Sequence, residues 1–304
     1  MKPKHKRVST TKTYPVQQSM VKNFTEITKI RLSISVVFSS VAGYLLGANS
    51  IDFFTLFLLC LGGYCMVGAS NVFNQIIEKD LDVLMDRTKD RPIPAGRMGV
   101  QSAFAIGTIL TITGIVVLYI INPKTAMFGA ISIFMYVSLY TPLKTKTPLS
   151  VFVGAFPGAI PFMLGWVAAT DNFGIEAGTL FMIQFFWQFP HFWAIGWFLF
   201  DDYKKGGFFM LPNGGRNKGT AIQVILYCVW TVLVSLIPAF NVTGSLKLSP
   251  VAAILIGIIG VWLIYYAVRL IQKRTDKGAK QLMLVSVTYI TLLQIIYVAD
   301  KFLR

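Results

Sequence analysis

The sequence predicts an all-α, polytopic membrane protein, and its composition and hydropathy pattern carry that prediction. Of the 304 residues, 55% are hydrophobic and 14% aromatic, and the mean hydropathy is +0.63, far from a soluble domain. The apolar residues form stretches of bilayer-crossing length, about 20 residues each. Nine such spans are predicted, at residues 32–50, 53–76, 100–121, 125–141, 149–169, 176–200, 220–240, 249–268 and 281–299.

The formal net charge of +15 is concentrated on one side of this predicted membrane domain. If the N-terminus is cytoplasmic, 24 of the 28 Lys and Arg residues lie in the first 31 residues or in inner loops. The four outer ones are Lys124, Lys247, Lys301 and Arg304. Because basic residues favour the cytoplasmic side, the charge predicts orientation and attraction to anionic lipid, and no nucleic-acid binding.

The N-terminal residues are polar and basic. Residues 1–24 are predicted to be a mobile cytoplasmic arm because they contain no apolar run that could form a core, and residues 25–304 to be the nine-helix membrane domain. Cys60, Cys65 and Cys228 lie inside predicted spans. The sequence therefore predicts neither a disulfide nor a zinc site.

The end of the second span is the strongest functional signal. Four polar residues recur there at helical spacing and would share one helix face: Asn71, Asn74, Glu78 and Asp82. Such oxygen ligands suit Mg²⁺, which binds one or two carboxylates and completes its shell with water and substrate phosphate. Arg87 and Arg91 would neutralise that phosphate. The alternative is a solvated helix end with ion pairs.

The sixth span carries a second polar face. Its members are Gln184, Gln188, His191 and Asp202. Polar groups are costly in hydrocarbon, so this face should point into the bundle or a water-filled cavity. Pro190 removes a backbone donor, and a kink there would widen such a cavity. Gln184 and Gln188 are expected to bond other helices; His191 is either a core histidine or a substrate contact.

The inner loops after the second and sixth spans are long and charged, so we expect the chemistry there. Spans 1–4 and 5–8 each place such a loop after their second helix, which suggests an internal repeat whose two loops face one cavity. A third inner loop, 140–148, carries Lys144 and Lys146, which would reach a phosphate or anchor the loop. Glycines and prolines at 154–161 predict close helix packing.

These motifs resemble those of the UbiA superfamily of intramembrane prenyltransferases. The pattern Asn74-x3-Glu78-x3-Asp82, followed by Arg87-Thr-Lys-Asp-Arg91-Pro, resembles the first aspartate-rich motif of that family. Further segments resemble the branch that farnesylates protohaem IX, and they lie at residues 28–31, 140–144, 165–166, 187–192, 202–203 and 210–212. The likeness covers nearly the whole chain after about residue 24.

The resemblance implies a nine-helix bundle around a central cavity, in which farnesyl diphosphate and haem B give haem O. The Mg²⁺ ligands that it implies are Asn74, Glu78, Asp82 and Asp202. The catalytic residues that it implies are Arg87, Arg91, Lys144 and Asp202, and the substrate contacts are Lys29, Arg31, His191 and Asp201. It implies a bacterial cell membrane as the location, and a haem A synthase or a terminal oxidase assembly protein as the recipient of the product.

Some positions depart from the superfamily pattern. Gln75 stands where many members have Asp, and Glu78 replaces a common Asp. His191 lies near the position of an Asp in quinone-forming relatives, and a histidine can ligate haem iron. His191 precedes Asp202 by about 11 residues, which is about 16 Å along a helix. This distance is too large for both side chains to bind one metal ion unless the helix bends sharply. We therefore expect His191 to serve the haem and not the diphosphate.

Three alternatives compete with this interpretation. A related prenyltransferase would use a quinone or aromatic acceptor. A transporter or membrane scaffold fits less well, because the acids cluster at helix ends and no carboxylate is predicted at mid-membrane. A CDP-alcohol phosphotransferase also uses acids with Mg²⁺, but the sequence lacks an Asp-Gly-x2-Ala-Arg signature.

Overall fold

The computed structural model describes residues 19–304, and all regular structure in this range is helical. The predicted all-α class is confirmed. Most of the predicted arm, residues 1–18, lies outside the described residues, and the first helix begins at Met20. The helices are α1 (Met20–Ile27), α2 (Ile30–Gly47), α3 (Phe53–Ile77), α4 (Lys79–Asp82), α5 (Val100–Ile121), α6 (Pro123–Phe134), α7 (Thr141–Leu143), α8 (Ser150–Thr170), α9 (Ile175–Phe198), α10 (Phe200–Lys205), α11 (Lys218–Leu236), α12 (Pro250–Lys273) and α13 (Asp276–Leu303), with a π-helix at Met135–Tyr140 and a 3₁₀ helix at Ile237–Phe240.

Within residues 19–304, eight helical segments are long and apolar enough to cross a membrane. They match every predicted span except the sixth, which corresponds to α9. This helix has 24 residues, but polar side chains such as Gln184 and His191 lower its hydropathy. The protein is an integral membrane protein, and the count of nine spans stays a prediction.

The crossing of α2 and α8 depends on two glycines. A Cβ atom at Gly43 would lie 1.9 Å from the carbonyl oxygen of Phe162, and one at Gly165 would lie 1.9 Å from that of Ser40. Only glycine permits backbones to approach this closely, as small residues do at membrane helix interfaces. The close packing predicted for 154–161 is also present, because Gly158 lies against the side-chain amide of Gln188.

Pro142 shapes the end of the fourth span. Its ring carries no N–H and clashes with the carbonyl four residues earlier. The chain accommodates it with the π-helix at Met135–Tyr140, a wider turn that is frequent at functional sites. The Thr141 hydroxyl donates to the carbonyl of Tyr136 at 2.8 Å. The next residues therefore leave the helix beside the end of α3.

Candidate active site

Two buried ion pairs lie where the ends of α3 and α7 meet. Lys144 donates to Glu78 Oε1 at 2.7 Å, and Arg91 donates to Asp82 Oδ2 at 2.6 Å. Glu78 caps α3 and Asp82 ends α4, so a break in the helix separates the two acids. Glu78 is 4% and Asp82 0% exposed. This burial excludes the alternative of a solvated helix end.

Three of the predicted metal ligands keep an oxygen without a protein partner among the described residues. Asn74 donates through Nδ2 to Thr141 Oγ1 at 3.3 Å, which leaves the Asn74 Oδ1 atom available to a ligand. Glu78 uses only Oε1, and Asp82 Oδ1 is buried without a donor. A buried acceptor of this kind is costly, and a hard cation would satisfy it.

The buried surroundings of Asp82 are also compatible with a bound cation. Burial raises the pKa of the Asp82 carboxyl above its ordinary value, although the neighbouring Arg91 opposes the shift. A further positive charge would stabilise the ionised carboxylate. The donor set of Asn74, Glu78 and Asp82 therefore fits Mg²⁺.

This donor set is incomplete without substrate. Across residues 19–304, no three His, Cys, Asp or Glu side chains are close enough together to hold a metal ion. Mg²⁺ commonly binds through one or two carboxylates and the phosphates of its substrate. The donor set would therefore need further oxygen ligands, such as those of a phosphate group, to hold Mg²⁺.

Asp202, the fourth predicted ligand, binds the backbone of the first loop. Its Oδ1 accepts the N–H of Asp86 at 2.8 Å, and its Oδ2 accepts that of Arg87 at 3.3 Å. The Arg87 guanidinium lies 5.5 Å from the centre of the Tyr203 ring. Asp202 thus joins the two charged loops, and its role as a metal ligand stays a prediction.

Further contacts bring the three inner loops together. Lys205 pairs with Asp86, and hydrogen bonds from Lys205 and Lys89 lower the pKa of Asp86 to about 2. The N–H of Phe209 donates to the carbonyl of Lys144 at 2.7 Å. The segments that were predicted to carry the chemistry therefore share one site.

Lys29 reaches this site from a strained turn between α1 and α2. It adopts φ +48° and ψ +56°, a left-handed conformation that is unfavourable for a residue other than glycine. The preceding carbonyls of Ile27 and Thr28 accept hydrogen bonds from Gln75 Nε2 at 2.8 Å and Asn71 Nδ2 at 3.3 Å. These two amides, although they lie on α3, support the turn.

The surroundings of Lys29 are electropositive. Burial, followed by the charges of Arg91 and Lys144, holds the pKa of Lys29 well below its ordinary value. Arg87 adds to the same effect. Glu78 opposes this shift, and an anion at this place would offset the positive charge that remains.

Two predicted substrate contacts lie apart from this cluster. Asp201 is exposed and binds Arg216 at 2.6 Å, and Arg216 also binds Asp276 at the start of α13. Arg31 is exposed on the first turn of α2. The structure therefore does not bring Asp201 and Arg31 together with Glu78 and Asp82.

His191 lies in a separate cluster between α9 and α13. Its Nδ1 is 2.9 Å from Ser286 Oγ. The Trp187 ring stacks on the imidazole with centres 4.6 Å apart and an interplanar angle of 19°, and its Nε1 donates to the Ser286 carbonyl at 2.7 Å. Phe192 meets the imidazole edge to face. Helix α9 continues through Pro190.

A buried amide network lies nearer the N-terminus of α9 than His191. Gln184 Nε2 donates to Ser39 Oγ at 3.4 Å, and Gln294 Nε2 donates to the same oxygen at 3.0 Å. The prediction that Gln184 bonds another helix is confirmed. Ser39, Gln294 and Ser286 were not expected from the sequence, because a lone Ser or Gln in an apolar helix has no pattern of its own.

The chain belongs to the UbiA prenyltransferase family, whose family model matches residues 36–292. This finding confirms the resemblance noted in the motifs.

Two members of the family are similar to this chain over nearly its full length. A protein of Christiangramia forsetii named Protoheme IX farnesyltransferase is 70% identical over 297 residues, which cover 98% of this chain and 99% of that protein. A protein of the same name from Flavobacterium psychrophilum is 66% identical over 300 residues, 98% of this chain and all of the relative.

Solved structures share the fold at low sequence identity. A structure described for digeranylgeranylglyceryl phosphate synthase superposes with a TM-score of 0.76 at 20% identity, covering 92% of this chain and 98% of the other. A UbiA homologue from Archaeoglobus fulgidus bound to GPP and Mg²⁺ has a TM-score of 0.63 at 12% identity, covering 91% and 99%. The predicted UbiA-type fold is confirmed.

Proposed function

We propose that the chain transfers the farnesyl group of farnesyl diphosphate to a vinyl group of haem B, with addition of water, to give haem O and diphosphate. The observation that carries this proposal is the 70% identity, over almost the full length of both chains, to a protein named Protoheme IX farnesyltransferase. The paired acids and cations at Glu78–Lys144 and Asp82–Arg91 supply a matching diphosphate site.

Diphosphate binding would exchange partners within this site. The incoming anion takes the charges of Lys144 and Arg91, which now neutralise Glu78 and Asp82. Each freed carboxylate then has both oxygens available, beside Asn74. These three residues, with Asp202 as a further candidate, would hold Mg²⁺, which when bound neutralises the departing diphosphate. Lys29 and Arg87 add positive charge at the leaving group.

The reaction itself needs exclusion of water and one late hydration. The C1–O bond of farnesyl diphosphate breaks, and its electron pair leaves with the diphosphate. The terminal vinyl carbon of haem attacks C1, and water adds to the resulting cation and loses a proton. The apolar bundle excludes bulk water until that last step. His191 is the residue that we assign to the haem, as an iron ligand or as a contact to a propionate or to the ring.

The proposed orientation places the N-terminus and the charged loops in the cytoplasm of a cell. The asymmetry of basic residues supports it. Cysteines introduced at positions 90 and 172, after the native cysteines are replaced, should react differently with an impermeant reagent on intact cells. Residue 172 should be labelled and residue 90 protected. The reverse pattern would invert the proposed topology.

A direct assay tests the reaction. Purified protein in lipid nanodiscs is given haem B, farnesyl diphosphate and Mg²⁺, and haem O is measured by chromatography and mass spectrometry. We expect haem O to form, and to form only with all three additions. Prenylation of a quinone precursor without any haem O would instead support the related prenyltransferase, and no transfer to either acceptor would reject the proposal.

A further inference from the structure

The His191 cluster contains a hydrogen-bond chain whose direction can be worked out. Ser286 is fully buried, and its hydroxyl donates to the carbonyl of Met283 at 2.7 Å. A serine hydroxyl has a single proton. With that proton used, Ser286 Oγ can only accept from His191 Nδ1, which lies 2.9 Å away.

This direction determines the tautomer of the neutral imidazole. A ring that donates through Nδ1–H carries an unprotonated Nε2 with a free lone pair. Within residues 19–304, Nε2 has no hydrogen-bond partner. Five other side-chain atoms in that range are both buried and unpartnered, but Nε2 does not belong to that group and is therefore not fully buried. The free nitrogen is therefore accessible, while the rest of the ring is held in place.

Trp187 completes this arrangement. It covers one face of the imidazole and is itself anchored on the backbone carbonyl of Ser286. His191 is only partly buried, whereas Trp187 and Ser286 are buried. One residue of α13 thus orients both rings of α9, and the histidine is the member of the cluster that a ligand can reach.

We propose that Ser286 is a positioning residue which holds His191 as the Nδ1–H tautomer, so that Nε2 is free to ligate the iron of the haem substrate. The proposal rests on the proposed function and adds to it the atom that binds and the residue that prepares it. A donated Nδ1–H is the usual support of a metal-bound histidine, because it fixes the ring and makes the other nitrogen more basic.

The first test determines the tautomer of His191 in the wild-type protein. The ¹⁵N chemical shifts of His191 are measured in protein labelled at histidine, with His191→Gln to assign the signal. We expect a protonated Nδ1 and an unprotonated Nε2 before haem is added. A protonated Nε2 in the wild type would overturn the proposal, whatever any variant does.

The second test compares two buried serines. Ser286→Ala removes the acceptor of His191, whereas Ser235→Ala is the matched control, because Ser235 is equally buried, donates to a backbone carbonyl and accepts from Tyr289. Haem B is titrated into each protein, and the Fe–His stretching frequency of the ferrous complex is recorded. Ser286→Ala should weaken haem affinity about tenfold and lower that frequency, and Ser235→Ala should change neither.

The outcomes separate the positioning role of Ser286 from the assignment of His191 to the haem, and the haem O assay described above tests the proposed function independently of both. If His191→Ala binds haem with the wild-type affinity and spectrum, the assignment of His191 to the haem fails, and the role of Ser286 fails with it. If His191→Ala loses the iron ligand but folded Ser286→Ala keeps both affinity and frequency, only the positioning role is wrong. Farnesyl diphosphate affinity should be unchanged in Ser286→Ala.

Discussion

The charged loops and the His191 cluster use polar groups in opposite ways. Around Glu78 and Asp82, full charges are paired with Lys144 and Arg91, and an anionic ligand could exchange those partners. Around His191, all groups are neutral and each hydrogen bond has one direction. The first region suits a highly charged substrate whose charge must be neutralised. The second suits an apolar macrocycle whose metal is bound by one oriented nitrogen.

The largest effect is expected from loss of the acids in the charged region. Glu78→Gln and Asp82→Ala should each reduce haem O formation by about 10³-fold, because the leaving diphosphate would lose the groups that hold its counter-ion. Asp80→Asn is the control, because Asp80 lies on α4 with Asp82 but is exposed and pairs with Lys79. Wild-type turnover of either variant, at limiting and at saturating Mg²⁺, would remove that residue from the site.

Loss of one partner of the Glu78–Lys144 pair is expected to lower stability. Lys144→Met leaves the buried Glu78 without its partner and should cost about 3–5 kcal/mol of unfolding free energy. The double variant with Glu78→Met should recover most of that loss, since no buried charge then remains unpaired. Thermal unfolding in one detergent would measure both. A double variant less stable than Lys144→Met would show that the pair itself, and not the unpaired charge, governs stability here.

A smaller effect is expected at the turn that presents Lys29. In Gln75→Glu the donor to the Ile27 carbonyl is lost, and we expect about a tenfold weaker affinity for diphosphate. Lys29→Ala should weaken it similarly, and the double variant should be little worse than either single one, because both act on one group. Competition binding with inorganic diphosphate measures this. If the two losses of diphosphate affinity were additive, Gln75 would not act by holding the turn that positions Lys29.

The same comparison explains what the sequence could predict. Acids and arginines at helical spacing are rare in an apolar chain, so Asn74, Glu78, Asp82 and Arg91 were recognisable as one group. The third inner loop, 140–148, also brings Lys144 to this group, where it donates to Glu78. The fold class followed from hydropathy, because the bilayer permits few alternatives to helices.

The remaining features depend on packing between distant segments. Ser286 lies 95 residues from His191 in the chain, and nothing in an apolar helix marks one serine as its partner. Asn71 and Gln75 lie on α3, which ends at the acidic cluster, but their amides donate to the carbonyls of Thr28 and Ile27 at the end of α1. Asp201 and Asp202 are adjacent, yet only Asp202 meets the first loop, because neighbours on a helix point in different directions.

The two substrates are expected to bind to these two regions independently. This expectation is tested most directly by titrating haem B and a non-reactive farnesyl diphosphate analogue into wild type, His191→Ala and Glu78→Gln. His191→Ala should lose haem affinity or shift the Soret band while it binds the diphosphate normally, and Glu78→Gln should do the opposite. If His191→Ala keeps the wild-type haem spectrum and affinity while its diphosphate affinity collapses, the two regions have been assigned to the wrong substrates.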